Sequence, residues 1–300
     1  QRGSDWTPRW WRAEDSGFAI PVMILNGRRI EERAQIAQQG GAEWLADHLR
    51  LNGFDPFAID GRDPAAFVWA ILEAEHRFES FITDPTRRYP APIPYVIAET
   101  VKGYGFPGSD TNAAHNLPIA GNPALDEAAR RTFNEAAAVL FVPPDEIAQA
   151  VETLAVHDAQ RRPPESRHPL ALRRPQAPTL PEPKWEQAGA PPDCAMHALD
   201  RWFVRLVDAN PALRVRVGNP DELRSNHMGA ALERLRHRVN VPEPGVADAV
   251  DGAVITALNE EAVAGAALAN KGGLNLIVSY EAFAMKMLGG LRQEIVFARR

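Results

Sequence analysis

The sequence predicts an α/β chain in which parallel sheets are flanked by helices and two such regions are joined by a proline-rich linker. Three observations predict it. Short apolar runs alternate with stretches of helical spacing over residues 19–100, and again after residue 195. Polar or glycine-rich turns follow those runs, as crossover connections of a parallel sheet require. Nine prolines fall between Arg161 and Pro192, a density that excludes helix and interior strand and leaves a stiff, extended connector.

The elements follow in order. Ala19–Leu25 is a short apolar run ended by Asn26-Gly27, a buried-strand pattern followed by a turn. Residues 41–52 have helical spacing, with Trp44, Leu45, His48 and Leu49 on one side and Gly53 just past the end. Phe54–Ile59 is the next strand. Asp63-Pro64 opens a long helix to Phe81, with proline in the favoured first turn. Pro94–Ala98 is a third strand, leading into Lys102-Gly-Tyr-Gly-Phe-Pro-Gly108. Ligands of such sheets sit at the carboxyl ends of the strands, which puts the turns after Leu25 and Thr100 on the functional edge. Helices are expected at 125–138 and 145–156. Beyond the connector, 195–210 is an amphipathic helix and Leu213–Val217 a strand. A helix at 225–238, a strand at 253–257, a helix of small residues at 259–269, a strand at 274–278 and a helix at 281–297 complete the pattern.

Bulk properties bound the function. Three hundred residues with 45% apolar and 24% charged side chains suit a globular protein of two domains. A net charge of −6 gives no global attraction to nucleic acid or to an anionic membrane. No apolar run is long enough to span a bilayer. Cys194 is the single cysteine, so no internal disulfide forms, and a reducing cytoplasmic location is expected.

Four groups of residues could carry chemistry. Asn26-Gly27 is the favoured sequence of a strand-ending turn, and an Asn oxygen there could also ligate Mg²⁺, a hard cation that takes oxygen donors. In the loop that follows Thr100, glycines such as Gly103 let a ligand approach the backbone. Lys102 offers a charge for phosphate, and His115 could bind phosphate or shuttle protons; the alternative is a surface loop with an incidental histidine. Gly218-Asn-Pro-Asp-Glu-Leu-Arg-Ser-Asn226 reads as a turn and helix cap, made by Ser225 or Asp221, whose polar residues could also face a cofactor. Glu260 and Glu261 open a helix whose Ala262, Ala264, Gly265, Ala266 and Ala267 permit very close packing. Acidic residues there complement the helix dipole, and a carboxylate so placed is a candidate for a buried, pKa-shifted group.

Taken together, the segments resemble the thiamine diphosphate enzymes of the transketolase superfamily. Ile20-Pro-Val-Met-Ile-Leu-Asn-Gly-Arg-Arg-Ile30, Gly53–Pro64, Pro220–Asn226 and Ser279-Tyr-Glu-Ala-Phe283 are similar to phosphoketolase. Lys102-Gly-Tyr-Gly105 with His115 is equally similar to the decarboxylase component of homodimeric pyruvate dehydrogenases. The resemblance implies two partial cofactor-binding domains: the diphosphate-binding part at 1–160, the linker at 161–194 and the pyrimidine-binding part at 195–300. It implies thiamine diphosphate and Mg²⁺, with Asn26 as a metal ligand, Arg28 adding its carbonyl, and Lys102, Gly103, Glu222 and Ser225 near the cofactor. Glu261 would hydrogen-bond the aminopyrimidine, with Glu260 as its neighbour. His115 would lie by the reacting centre and Tyr280 would line the site. The Gly-Asp-Gly half of the family's metal motif occurs nowhere in the chain. The chain is therefore expected to be a piece of a longer homodimeric enzyme, inactive alone, which cleaves a ketose phosphate with inorganic phosphate. Transketolase, the dehydrogenase component and a non-catalytic remnant of the cofactor fold are the alternatives.

Overall fold

β1 (Val22–Leu25), β2 (Phe54–Asp60) and β3 (Ile93–Glu99) form a three-stranded sheet in the order β1-β3-β2, with every pair parallel. The computed structural model describes residues 7–116, 118–160, 164–167, 172, 174, 176–183 and 194–298. β3 lies in the middle because it carries the longest buried run: Ile93, Val96, Ile97 and Ala98 are all almost fully enclosed. Leu45 and Leu49 of the helix Gly41–Leu51 are buried, as its amphipathic spacing requires, and Gly53 reverses the chain at φ +87°. The helix Pro64–Thr83 starts where Asp63 accepts the Ala65 amide at 2.9 Å, and its Ala70 packs with Ile59, Val96 and Ala98. One expectation changes here. β1 is an edge strand whose Val22 and Ile24 are exposed, with only Leu25 buried; the apolar run at 19–25 marks a strand but not a doubly covered one.

β4 (Val215–Asn219), β5 (His237–Arg238), β6 (Asp248–Ala249), β7 (Val254–Thr256) and β8 (Leu274–Ile277) form a second sheet, ordered β6-β5-β7-β4-β8 and again all parallel. Its core joins Phe203, Leu206 and Val207 of the helix Ala195–Ala209 to Val217, Val254, Met228, Leu232 and Leu274. The small-residue helix Glu260–Leu268 does pack backbone to backbone. A Cβ on Gly218 would stand 2.6 Å from the Val263 carbonyl oxygen, a separation that only glycine tolerates.

Two expected helices differ. The stretch 225–238 is helical only over Gly229–Leu235; Arg236 then takes φ +58°, which stops the helix and lets His237-Arg238 enter the sheet as β5. Neither Ser225 nor Asp221 caps that helix. Both oxygens of Asp200, buried on the neighbouring helix, accept the Ala230 and Ala231 amides at 2.8 Å. The stretch 281–297 begins as a 3₁₀ turn, Glu281–Met287, before the α-helix Leu288–Ala298.

Contacts group the chain into two units, one of Ala19–Ser80 and Ile93–Arg173, the other of Gln1–Phe18, Phe81–Pro92 and Arg174–Arg300. The second unit thus includes the start of the chain, with the short helix Thr7–Trp10. Of the connector's prolines, Pro163, Pro169, Pro175, Pro191 and Pro192 lie outside the described residues.

Candidate functional site

At the carboxyl edge of the three-stranded sheet the chain turns after β1 at Asn26-Gly27, and Gly27 takes the φ of +76° that such a turn needs. The Asn26 side-chain oxygen accepts the Arg28 amide at 3.0 Å, closing an Asx turn and leaving one lone pair for another donor or a cation. The Arg28 guanidinium reaches Asp110 and Asn112, each at 3.2 Å, and the Lys102 ammonium donates to the Arg29 carbonyl at 2.7 Å. The β1 turn and the loop after β3 are thereby laced together. Gly103 is required where it stands: at φ +72° its Cβ would fall 2.7 Å from that of Ala114. His115 ends the 3₁₀ turn Asn112–His115 and is exposed. Asn26, Arg28, Lys102 and Gly103 therefore share one edge, with His115 on the same loop.

At the carboxyl edge of the five-stranded sheet a second polar group forms. The turn after β4 carries Asp221, Glu222 and Ser225, and the turn after β8 carries Ser279 and Tyr280. The Tyr280 hydroxyl donates to Ser225 Oγ at 2.9 Å, Ser225 donates to the Glu222 carbonyl at 2.8 Å, and Ser279 donates to Asp221 at 3.1 Å. Asn219, fully buried at the end of β4, donates to the Val278 carbonyl at 2.8 Å, while its side-chain oxygen is buried with no partner among the described residues. An orphaned acceptor costs about 1–3 kcal/mol unless a ligand or water satisfies it.

The helix after β7 is capped by Asn259, whose side-chain oxygen accepts the Ala262 amide at 3.0 Å. Of the two glutamates in its first turn, Glu260 is the enclosed one. It pairs with Lys286 at 3.0 Å, and backbone hydrogen bonding, then Lys286, holds its carboxyl below the usual range. Glu261, expected to be buried, is exposed, because the tight packing of the small-residue face uses Ala262, Val263, Ala264 and Ala267 and turns Glu261 outward.

Glu261 instead lines the mouth of a cavity of about 390 Å³, together with Trp10, Trp11, Asp15, Arg214, Arg216 and Asn270. Sequence alone does not reveal these residues, because the partners lie some two hundred positions apart. Asp15 is the hub. It accepts from Arg216 at 3.1 Å and from Arg238, and its carbonyl accepts from Arg214. Burial pushes the Asp15 carboxyl up, but the hydrogen bond and charge of Arg238, with the charge of Arg216, outweigh it and hold the group at about 2. Burial, then the neighbouring Arg238 charge, lowers Arg216 and Arg12 to about 10, still cationic at neutral pH. Arg216 keeps one guanidinium nitrogen buried without a partner among the described residues.

Residues 197–300 match the family model described as D-xylulose 5-phosphate/D-fructose 6-phosphate phosphoketolase. The matched span holds β4 to β8, Glu222, Ser225, Glu261 and Tyr280, and bears out the phosphoketolase-like reading of this part of the chain. A comparison with curated proteins gives no match.

Proposed function

We propose that the complete protein cleaves a ketose phosphate, xylulose 5-phosphate or fructose 6-phosphate, with inorganic phosphate to give acetyl phosphate, an aldose phosphate and water. The observation that carries this reading is the coincidence of the phosphoketolase match with the polar edge of the five-stranded sheet, where Tyr280, Ser225 and the Glu222 carbonyl are joined by hydrogen bonds and the buried Asn219 oxygen has no partner among the described residues. The enzyme would be a carbon–carbon lyase acting as a homodimer. The exposed, apolar, unpaired side of β1 supports a partner of this kind.

Thiamine diphosphate and Mg²⁺ would be the cofactors, and the two edges fit them unequally. On the five-stranded unit a buried acceptor without a partner among the described residues and a hydroxyl pair at the strand ends would offer polar contacts to a heteroaromatic ring, and Glu261 lines a separate aromatic cavity. On the three-stranded unit Arg28 and Lys102 suit a diphosphate. The Asn26 oxygen, with one lone pair left by its turn, and the Arg28 carbonyl would be metal ligands, a partial set for a cation that prefers six oxygens. When bound, the coenzyme supplies the carbon nucleophile and electron sink for the cleavage. The residues of this chain bind and move protons around it. Glu261, solvent-reachable at its helix start, would hydrogen-bond the ring and hold a proton there. Tyr280 and Ser225 would form a relay to the sugar hydroxyl, and Lys102 and His115 would hold phosphate oxygens.

The experiment is an acetyl phosphate assay on the complete protein with xylulose 5-phosphate and phosphate. Product is expected, and Tyr280→Phe and Glu261→Gln each lower the rate by about 100-fold or more, the usual worth of a positioned acid or base. Two-carbon transfer to ribose 5-phosphate instead would make it a transketolase, and acetyl transfer from pyruvate the dehydrogenase component. No turnover with any of these, and no heat of binding with thiamine diphosphate and Mg²⁺, would leave only a non-catalytic fold.

A further inference from the structure

Next to the polar edge just described, three side chains with soft or borderline donor atoms converge. Cys194 stands at the head of the helix Ala195–Ala209 and His197 lies in its first turn. His227 comes from the turn after β4, thirty positions further on. One ligand atom of each, the thiol sulfur and a ring nitrogen of either histidine, lies within 4.8 Å of the other two. The two imidazoles stand nearly at right angles, with ring centroids 4.7 Å apart and 79° between their planes.

The elements that bring them together are fixed. Asp200, one turn beyond His197 on the same helix, accepts the Ala230 and Ala231 amides at 2.8 Å, tying that helix to the one just after His227. His227 itself sits between buried Asn226 and fully buried Met228, at φ +59°. Histidine is among the residues that take a positive φ, and the buried neighbours on either side hold the backbone of this turn in place.

We propose that Cys194, His197 and His227 form a binding site for one divalent ion of the zinc class, with the fourth position open to water or an exogenous ligand. One thiolate and two imidazoles suit Zn²⁺ and disfavour Mg²⁺ or Ca²⁺, which take oxygen donors. Zn–N bonds of about 2.0 Å and Zn–S bonds of about 2.3 Å put tetrahedral ligand atoms about 3.3–3.6 Å apart. The three atoms would have to draw closer on binding. Binding releases the thiol proton to solvent. His227 is two residues past Ser225, so the ion clips the Glu222–Ser225 turn to the helix start. The proposal does not rest on the reaction assigned above.

The test uses the tag-free chain under a non-thiol reductant, with Co²⁺ as the spectroscopic probe and Zn²⁺ as the competitor. One Co²⁺ per chain is expected, with a thiolate-to-metal charge-transfer band and the intense visible bands of four-coordination, both displaced by Zn²⁺. Cys194→Ser removes the charge-transfer band. His227→Asn, which accepts a positive φ, weakens Zn²⁺ binding by about 100-fold or more, since even residues that merely support ligands cost 10–100-fold. Because Cys194 is the only thiol, Zn²⁺ also slows its alkylation by iodoacetamide, a readout independent of the spectra. Octahedral Co²⁺ without a thiolate band, a Zn²⁺ affinity unchanged by these substitutions, or an alkylation rate unchanged by Zn²⁺ overturns the site.

Discussion

Asp15 faces two buried arginines, and its replacement isolates their charge. Asp15→Asn keeps the shape but leaves Arg216 and Arg238 without a counter-ion, and a loss of about 3 kcal/mol in denaturant midpoint stability is expected for a broken, largely buried pair. The acid response follows from the same group. Its folded value of about 2 lies below the ordinary 3.8, so its stabilisation is complete above 3.8 and is lost as pH falls toward 2. After allowance for solvent at its partly exposed edge the contribution is about 1–2 kcal/mol. His237 acts in a higher window. Burial holds it below 6.5, so the fold loses stability as pH drops beneath that value and the ring must be protonated. Unfolding curves between pH 7 and 2 test both. A profile of Asp15→Asn parallel to that of the parent below pH 4 would contradict the assignment. None of the Asp15 network was legible in the sequence, because hydrogen bonds spanning two hundred residues leave no local pattern. Asn26, Lys102 and Glu222 were legible as residues at strand ends, which can be read from apolar runs, whereas Tyr280 was named only by the resemblance.

At the scale of elements, two glycines make opposite predictions. Gly218 of β4 meets the Val263 carbonyl, so Gly218→Ala forces helix Glu260–Leu268 away from the sheet and costs about 1–3 kcal/mol. Gly265 lies in that same helix with nothing near its missing Cβ, and Gly265→Ala gains about 0.5–1 kcal/mol from helix propensity. Equal effects in chemical denaturation would deny the packing described. Asp200→Ala strips two amides of their cap and is expected to cost about 1–2 kcal/mol. The alternation of strands and helices was readable because apolar period and glycine punctuation agree. β5 and β6 were not: two residues carry no period, and the positive φ of Arg236 that ends the preceding helix has no glycine to announce it.

The molecule as a whole leaves apolar surface uncovered. Ile147, Val151 and Leu154 form an exposed stripe along the helix Pro144–Ala159, and Val139, Leu140 and Phe141 stand exposed just before it. No described helix is long and apolar enough to cross a membrane. Exposed apolar stripes of this size are expected at protein interfaces. Sedimentation of the chain should give twice the monomer mass, and Val151→Lys with Leu154→Lys should return it to the monomer. A monomer from the outset would argue that the stripe is covered otherwise.

Residues 7–18 belong to the unit completed by residues 174–300, and Arg12 reaches the Val239 and Val250 carbonyls while Asp15 waits for Arg216 and Arg238. Translation at about 5–20 residues per second means that this segment emerges about 10–50 s before its last partner exists. For that interval Trp10 and Trp11 have no groove to enter, which makes this stretch a natural landing place for a chaperone.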